Sequence, residues 1–436
     1  MLKLKRALVR KKLVCSSFLT IAFLFCNSCA TYSGITKKVQ GSLEARDYSE
    51  AQEQLEKVCK KEEKNQLLCL VDMGMISYLS ADYENAVKHW LKADDLASQL
   101  DVVSVSEQGM SLLLDDNRVA YRGEHHEKIL ISVYLALSFL KQKKYESALV
   151  ESRKIAHKHK LLEQENEKTY KQNAFAKYLS GKMFEAEGEY NEAFLYYREA
   201  NILEPGIGLI QDDLLRMAER LNFSQEYNDF KKAFGKQVLA NTGNQGELVL
   251  ILENGLSPRK ISKSSSIFVA GKFINVVSPE FVTRSNRIGY AVIKVKKENE
   301  KDFLTAYTSR TYLLNNIDQA AKNQLSDSVK IRLAKTAGSI AVKQAAALGI
   351  GKATKNEFLG ALVGIGLNAM QTADTRSWLS LPANLQIGSV WLPQGVYEIE
   401  LDFYSTANKF MFSVNKFPKV TINTDDKQFI TWRTFE

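Results

Sequence analysis

Histidine is scarce in this chain of 436 residues: there are five, and none follows His159. The second half of the molecule therefore has no imidazole for acid–base chemistry. No H-E-x-x-H pair and no nucleophile elbow is present either. Gly349-Ile350-Gly351-Lys352 looks like the end of a phosphate loop, but Ala346 stands where the first glycine belongs and Ala353 where the magnesium-binding Ser or Thr belongs. Both the backbone cradle and the metal ligand are missing, so nucleotide binding is excluded and no cofactor is expected. The apolar stretches Leu13 to Phe25 and Phe358 to Met370 hold thirteen residues each, short of the roughly 20 that span a bilayer. Proline is also rare, with six in all and only Pro205 between residues 35 and 235. Long helices are thus permitted there.

Positive charge is less abundant than it looks. The formal charge is +9, but Lys3, Lys5, Arg6, Arg10, Lys11 and Lys12 all precede the first apolar run, and the rest of the chain carries only +3. No nucleic-acid partner is implied. Those basic residues, the apolar run and Cys26-Asn27-Ser28-Cys29 together read as a secretory leader of the lipoprotein type, residues 1–28. Cleavage would leave Cys29 to carry a lipid and residues 29–34 as the tether. Ala30, in place of an aspartate, directs the expectation to the outer membrane, with the periplasmic side favoured over the cell surface. Removal of Cys15 and Cys26 with the leader and lipidation of Cys29 leave Cys59 and Cys69, a disulfide candidate in an oxidising compartment.

From 35 to 240 the chain is rich in Ala, Leu, Glu and Lys, and a short phrase recurs: Asp47-Tyr48-Ser49-Glu50-Ala51, Asp82-Tyr83-Glu84-Asn85-Ala86, Lys144-Tyr145-Glu146-Ser147-Ala148 and Glu189-Tyr190-Asn191-Glu192-Ala193. Gly181, Phe184, Ala193, Tyr197, Ala200 and Pro205 sit at tetratricopeptide offsets, and Gly74, Tyr83, Ala86, Trp90 and Ala93 repeat most of them. Each unit is expected to be a helix pair, with the small residues admitting close approach and the aromatic filling the gap. The uneven spacing implies an insertion between Gln99 and Glu127, where His125 and His126 adjoin Glu124 and Glu127. No distant Cys or His completes a metal site there, so no metal is expected.

Near Gly243 the pattern changes. Leu248 to Leu252 is a short apolar run suited to a buried strand, followed by a turn at Asn254-Gly255. Strands are also expected at Ser266 to Ala270, Ile288 to Lys296 and Phe303 to Tyr307. Tyr397, Ile399, Leu401 and Phe403 alternate with Glu398, Glu400 and Asp402, and segments 409–414, 419–422 and 429–432 extend this into an antiparallel meander. Residues 313–372 read as an inserted helical hairpin, with Ile317, Ala321, Leu325 and Val329 opening a four-residue stripe and Gly360 and Gly364 allowing close helix contact. The expected class is α+β: an N-terminal all-α tetratricopeptide-like solenoid, then an antiparallel β-rich domain over 241–436.

Asp374, Arg376 and Trp378 form the best polar constellation outside the repeats, either a corner lock or a partner site. These residues, with Tyr121-Arg122-Gly123-Glu124, Tyr134-Leu135-Ala136-Leu137, Leu252-Glu253-Asn254-Gly255-Leu256, Pro258, Lys260, Leu381-Pro382, Leu392-Pro393, Gly395 and Tyr397, resemble an uncharacterised family of tetratricopeptide-repeat-containing bacterial lipoproteins. The resemblance spans nearly the whole mature chain. It implies a Gram-negative envelope protein and brings no activity, ligand or catalytic residue. The expected function is a non-enzymatic scaffold or adaptor in envelope or surface-structure assembly, binding a protein or peptide in a groove lined by Tyr78, Tyr134 and Tyr178. The rival is a hydrolase of envelope polymers acting through carboxylates such as Glu253 or Asp374, which requires two of them facing one cleft.

Overall fold

The computed structural model describes residues 32–107, 119–164, 173–237, 244–269, 272–303, 307–327, 329–330 and 373–436. The leader, Cys29 and all of 331–372 lie outside the described residues, and with them Gly360, Gly364 and most of the expected hairpin. Ten helices of eight residues or more fill the first half of the described chain: α1 Lys37–Glu44, α2 Tyr48–Cys59, α3 Gln66–Leu79, α4 Tyr83–Glu107, α5 His125–Lys141, α6 Tyr145–Gln164, α7 Ala174–Ala186, α8 Tyr190–Leu203, α9 Gly208–Arg220 and α10 Ser224–Phe234. Each packs on the next along the chain. No described helix is long and apolar enough to cross a membrane.

The recurring phrase is a turn. Between α1 and α2, α3 and α4, α5 and α6, α7 and α8, and α9 and α10, one residue takes positive φ: Arg46, Ala81, Lys143, Gly188 and Asn222. The next amide reaches back five residues in every case (Asp47 to Ser42, Asp82 to Ser77, Lys144 to Phe139, Glu189 to Phe184, Phe223 to Ala218, all 2.8–2.9 Å). That is the Schellman C-cap, which satisfies the last carbonyls of one helix while aiming the chain into the next. The pairs then close on small residues. A Cβ on Gly74 would lie 2.3 Å from the Trp90 indole, and one on Gly181 would lie 2.5 Å from the Tyr197 ring. The two glycines exist because the aromatic occupies the space a methyl would need. Cys59, at the end of α2, is bonded to Cys69 in α3 with 5.8 Å between the Cα atoms.

The second half contains β1 Gln245–Asn254, β2 Arg259–Val269, β3 Lys272–Val282, β4 Ile288–Lys297, β5 Ser309–Arg310, β6 Tyr312–Asn316, β7 Asn384–Pro393, β8 Gly395–Ser405, β9 Phe410–Val414, β10 Val420–Ile422 and β11 Lys427–Arg433. One sheet has the order β11-β1-β7-β6, a second β10-β8-β4-β5 with β9 also on β8, and β2-β3 stands as a separate hairpin. The expected meander is corrected here. After β10 the chain crosses to the other sheet, so β11 lies parallel to β1, with Val249 opposite Phe429 and Ile251 opposite Thr431. Residues 313–316 belong to β6, whose partner is β7, and helix begins only at 317. Phe303 lies in no strand.

Strand β1 explains how the halves join. Its Leu248, Leu250 and Leu252 face the second sheet and pack with Ile293, Val295, Leu401 and Phe403. Val249 and Ile251 face the opposite way, into a cluster with Tyr78, Tyr134, Tyr178 and Trp378. Successive strand residues point to opposite faces, so an unbroken apolar run serves a strand covered on both sides. Three layers result: helices, sheet, sheet. Each fully buried aliphatic side chain contributes about 1.5–3 kcal/mol, and one continuous core crosses the boundary near residue 240.

Candidate functional site

The tyrosines expected on an open groove are covered by the chain's own first sheet. Tyr78, Tyr134 and Tyr178 are 4%, 0% and 0% exposed. This corrects the picture of a free concave face. Glu253, at the far end of β1, accepts from Tyr78 Oη at 3.1 Å and from Tyr134 Oη at 2.9 Å. Burial raises the Glu253 carboxyl above its ordinary range, with Arg433 and the two phenols pulling the other way.

At the near end of β1, Glu247 meets a second cluster. Lys182 of α7 pairs with Glu247 and with Asp213 of α9, the latter at 2.7 Å, and Tyr178 donates to Asp213. Lys427 of β11 pairs with Glu247 and lies 3.0 Å from Glu185, which also takes Arg216 and the Tyr197 hydroxyl at 2.6 Å. Three acids (Glu185, Asp213, Glu247) thus balance three bases (Lys182, Arg216, Lys427) in a largely buried knot that ties four elements together, α7, α9, β1 and β11. Burial alone would push the Glu247 carboxyl up; Lys182 and Lys427 outweigh it and hold the group below its ordinary value. None of the six stood out in the sequence. The available signal was that Glu247 and Glu253 share the parity of Val249 and Ile251, which puts both carboxylates on the helix-facing side of one strand.

Asp374, Arg376 and Trp378 lie at the corner where the chain returns from 331–372. The Arg376 Nε donates to Asp374 at 2.9 Å, its Nη1 to the Val119 carbonyl at 3.0 Å, and its guanidinium lies 5.4 Å from the Tyr121 ring. The Trp378 amide donates to Glu127 at 2.7 Å, and its indole to Ser380 at 2.8 Å. Ser380 in turn donates to Asp72, whose other oxygen accepts from Tyr32 at 2.9 Å. Burial pushes the Asp72 carboxyl up to about 6 against the pull of those two hydroxyls. These groups fasten the helices to the sheet. Glu253 is 1% exposed and held by Tyr78 and Tyr134, and the Asp374 carboxylate is held by Arg376.

Helix α5 starts at His125, with Glu124 and Glu127 forming a capping box, and His126 contacts Gln324 at 2.9 Å. Among the described residues no group of His, Cys, Asp and Glu has metal-binding geometry.

Aromatic side chains reach the surface elsewhere, on the outer face of the second sheet. Phe410, Tyr404 and Tyr290 run across β9, β8 and β4 with ring centroids 5.9 and 5.2 Å apart, and Arg310 lies between Tyr290 and Tyr312 at 5.6 and 4.9 Å. Phe410 is 57% exposed. The parity of these strands is legible, because their alternate residues Ala291, Ile293, Leu401 and Phe403 are in the core.

No protein-family model matches the chain, and no curated protein matches it. Among solved structures, the chain is similar to MamA 41-end from Desulfovibrio magneticus RS-1 (18% identity, 46% of this chain and 88% of that one, TM-score 0.30). It is also similar to MamA in another crystal structure (14% identity, 45% and 92%, TM-score 0.31). A likeness at that level carries no weight for partners.

Proposed function

We propose that the protein is a non-enzymatic scaffold of the bacterial envelope, tethered at Cys29 to the outer membrane on its periplasmic side, that binds a protein partner through its sheet rather than through its repeats. The helix pairs are read as a tetratricopeptide-like array whose groove is permanently occupied by β1, β7 and β11. The observations that carry this reading are the placement of Tyr78, Tyr134 and Tyr178 beneath that sheet and, on the outer face of the second sheet, the row of half-buried Tyr404 and Tyr290 between exposed Phe410 and Arg310. Aromatic and Arg side chains concentrate binding energy at protein interfaces, and the surface row consists of them.

Crosslinking in intact envelopes, followed by purification of wild type and of a Tyr290→Ala, Tyr404→Ala, Phe410→Ala variant, tests the proposal. A defined partner should disappear from the variant while its thermal midpoint stays close to wild type. An unchanged partner set in a folded variant sinks the sheet-face assignment. The Cys29→Ser variant tests the tether separately, and its continued fractionation with outer membranes would refute anchoring there.

A further inference from the structure

Strand β11 is the edge of the first sheet and pairs on one side only, with β1. In a parallel ladder a residue turns its amide and its carbonyl to the same neighbour, and successive residues alternate. The Asp426 carbonyl and the Thr434 amide both bond to β1. The even-numbered residues between them therefore face β1, and Lys427, Phe429, Thr431 and Arg433 turn their backbone groups outward. The Arg433 carbonyl is capped by the Arg46 guanidinium at 2.7 Å, in keeping with that direction. Among the described residues, nothing bonds to the outward amides and carbonyls of Lys427, Phe429 and Thr431. An edge left bare in this way is a template for another strand.

The helices leave room for one. Helix α7 packs on β6 and β7, and further along it Lys182 meets Glu247 of β1 and Glu185 meets Lys427 of β11. Those two residues are three apart, about 4.5 Å of helix rise, which matches the roughly 4.8 Å between neighbouring strands. The helix thus runs across the strands, with its C-terminal turn on the β11 side. In α5, Tyr134 bonds to Glu253 of β1, and Lys141 follows on the same face about 10 Å further on. That distance is two strand spacings from β1 and one beyond β11. Lys141 therefore overhangs the position of a fifth strand. Its neighbour Gln142 donates to the Tyr83 carbonyl at 3.2 Å, which places the half-buried Tyr83 beside it. On the side of the second sheet, Phe417 packs on Trp432 with ring centroids 5.2 Å apart.

Lys141 has no ion pair or hydrogen bond among the described residues, and burial pushes its ammonium below its ordinary value against the pull of Glu253. A second copy of the chain does not fit the strip. Antiparallel pairing of two β11 edges puts both helix layers on the same side of the joined sheet, where the two overhangs compete for one space. A single extended chain does fit, and the unpaired ammonium favours a carboxylate on its helix-facing side.

We propose that the open edge of β11 receives an extended segment of a partner protein as a fifth strand of the first sheet, bonded to Lys427, Phe429 and Thr431 and carrying an acidic side chain toward Lys141. This goes beyond the aromatic row assigned above and uses a different surface.

The probe is a short fluorescein-labelled peptide of alternating threonine and valine with a glutamate at its centre, titrated into the whole mature chain with Cys29→Ser and read by anisotropy. Binding should saturate. Methylating every second amide nitrogen blocks one edge of the peptide, so one phase of methylation should abolish binding and the other should spare it. Lys141→Gln should weaken the glutamate peptide about tenfold and leave a glutamine-centred peptide unchanged. Thr431→Pro removes an outward amide without touching the β1 ladder and should weaken both peptides. The Tyr290→Ala, Tyr404→Ala, Phe410→Ala variant should bind the peptide like wild type, so the two surfaces fail separately. Absence of saturable binding, equal binding by the two methylated peptides, or a Lys141→Gln chain that still prefers glutamate overturns the proposal. So does a concentration-dependent dimer that the peptide dissociates, since a second copy would then hold the edge.

Discussion

Replacing Lys182 by Met should cost the protein about 3–5 kcal/mol, the range for removing one partner from a buried ion pair. The ammonium is fully buried and pairs with Asp213 at 2.7 Å and with Glu247, while also lying 5.3 Å from the Tyr178 ring and 5.7 Å from that of Tyr197. Burial disfavours its charge, but the two carboxylates outweigh that and raise its pKa. Methionine keeps the volume and removes the charge, so the balanced cluster of three acids and three bases is left with one carboxylate in excess. A typical domain has only about 5–15 kcal/mol in total, so the midpoint in urea should fall sharply. Because one core crosses both halves, helix circular dichroism at 222 nm and the fluorescence of Trp378, Trp391 and Trp432 should report a single shared transition. Adding Glu247→Gln to Lys182→Met should recover part of the loss by restoring neutrality. An exposed control, Lys57→Met, which removes a pair 68% and 62% exposed, should do nothing measurable. A loss below about 1 kcal/mol, or helical signal surviving after the tryptophans report unfolding, would refute the claim that this knot locks helices and sheet together.

Gly74→Ala should destabilise by about 1–3 kcal/mol through overpacking, because its methyl would meet Trp90; a calorimetric midpoint equal to wild type would contradict the tight closure. Ala81→Gly should stabilise by roughly 0.5–1 kcal/mol, since alanine at φ +64 gives way to the one residue without a Cβ penalty; urea titration measures it. Asp72 takes up its proton near pH 6 when folded and near its ordinary value of 3.8 when unfolded, so the folded state binds more protons between those values. The contribution of that group is complete below about pH 4 and declines as pH rises to 6, by up to ~3 kcal/mol, and Asp72→Asn should flatten that part of a stability-versus-pH curve. Reduction of Cys59–Cys69, which closes a loop ten residues apart in sequence, should remove about 2–3 kcal/mol. Thiol labelling of unfolded, unreduced protein should modify neither cysteine.

Much of the helical half was legible because its rules are local. The tyrosine-containing phrases sit at four of the five Schellman turns. The fifth, Asn222-Phe223-Ser224, lacks the tyrosine and so carries no such phrase, although its backbone does the same thing. Gly74 with Trp90 and Gly181 with Tyr197 were readable for the same reason, both partners lying within one helix pair. Strand β1 announced itself as an apolar run, whereas β7 did not, since Gln386, Gly388 and Ser389 break its pattern while being held between neighbouring strands. The site was misread for a physical reason. Tyr78, Tyr134 and Tyr178 have the same spacing whether they face solvent or a sheet, and what decides between these is a strand more than sixty residues further on. Charge complementarity between Lys182 and Glu247 is equally invisible without the fold.

The parallel pairing of β11 with β1 has a consequence for how the molecule is made. When β1 has been synthesised, the helices before it have a roof of one strand, and the Glu247 carboxylate already beneath it lacks Lys427. That lysine arrives about 180 residues later. Until then the chain holds an apolar trough and an unpaired strand edge that any passing extended segment could occupy. A polypeptide made from its N-terminus must keep this surface closed to others while waiting for β11, so the interval between β1 and β11 is a period when the protein is open to mispairing.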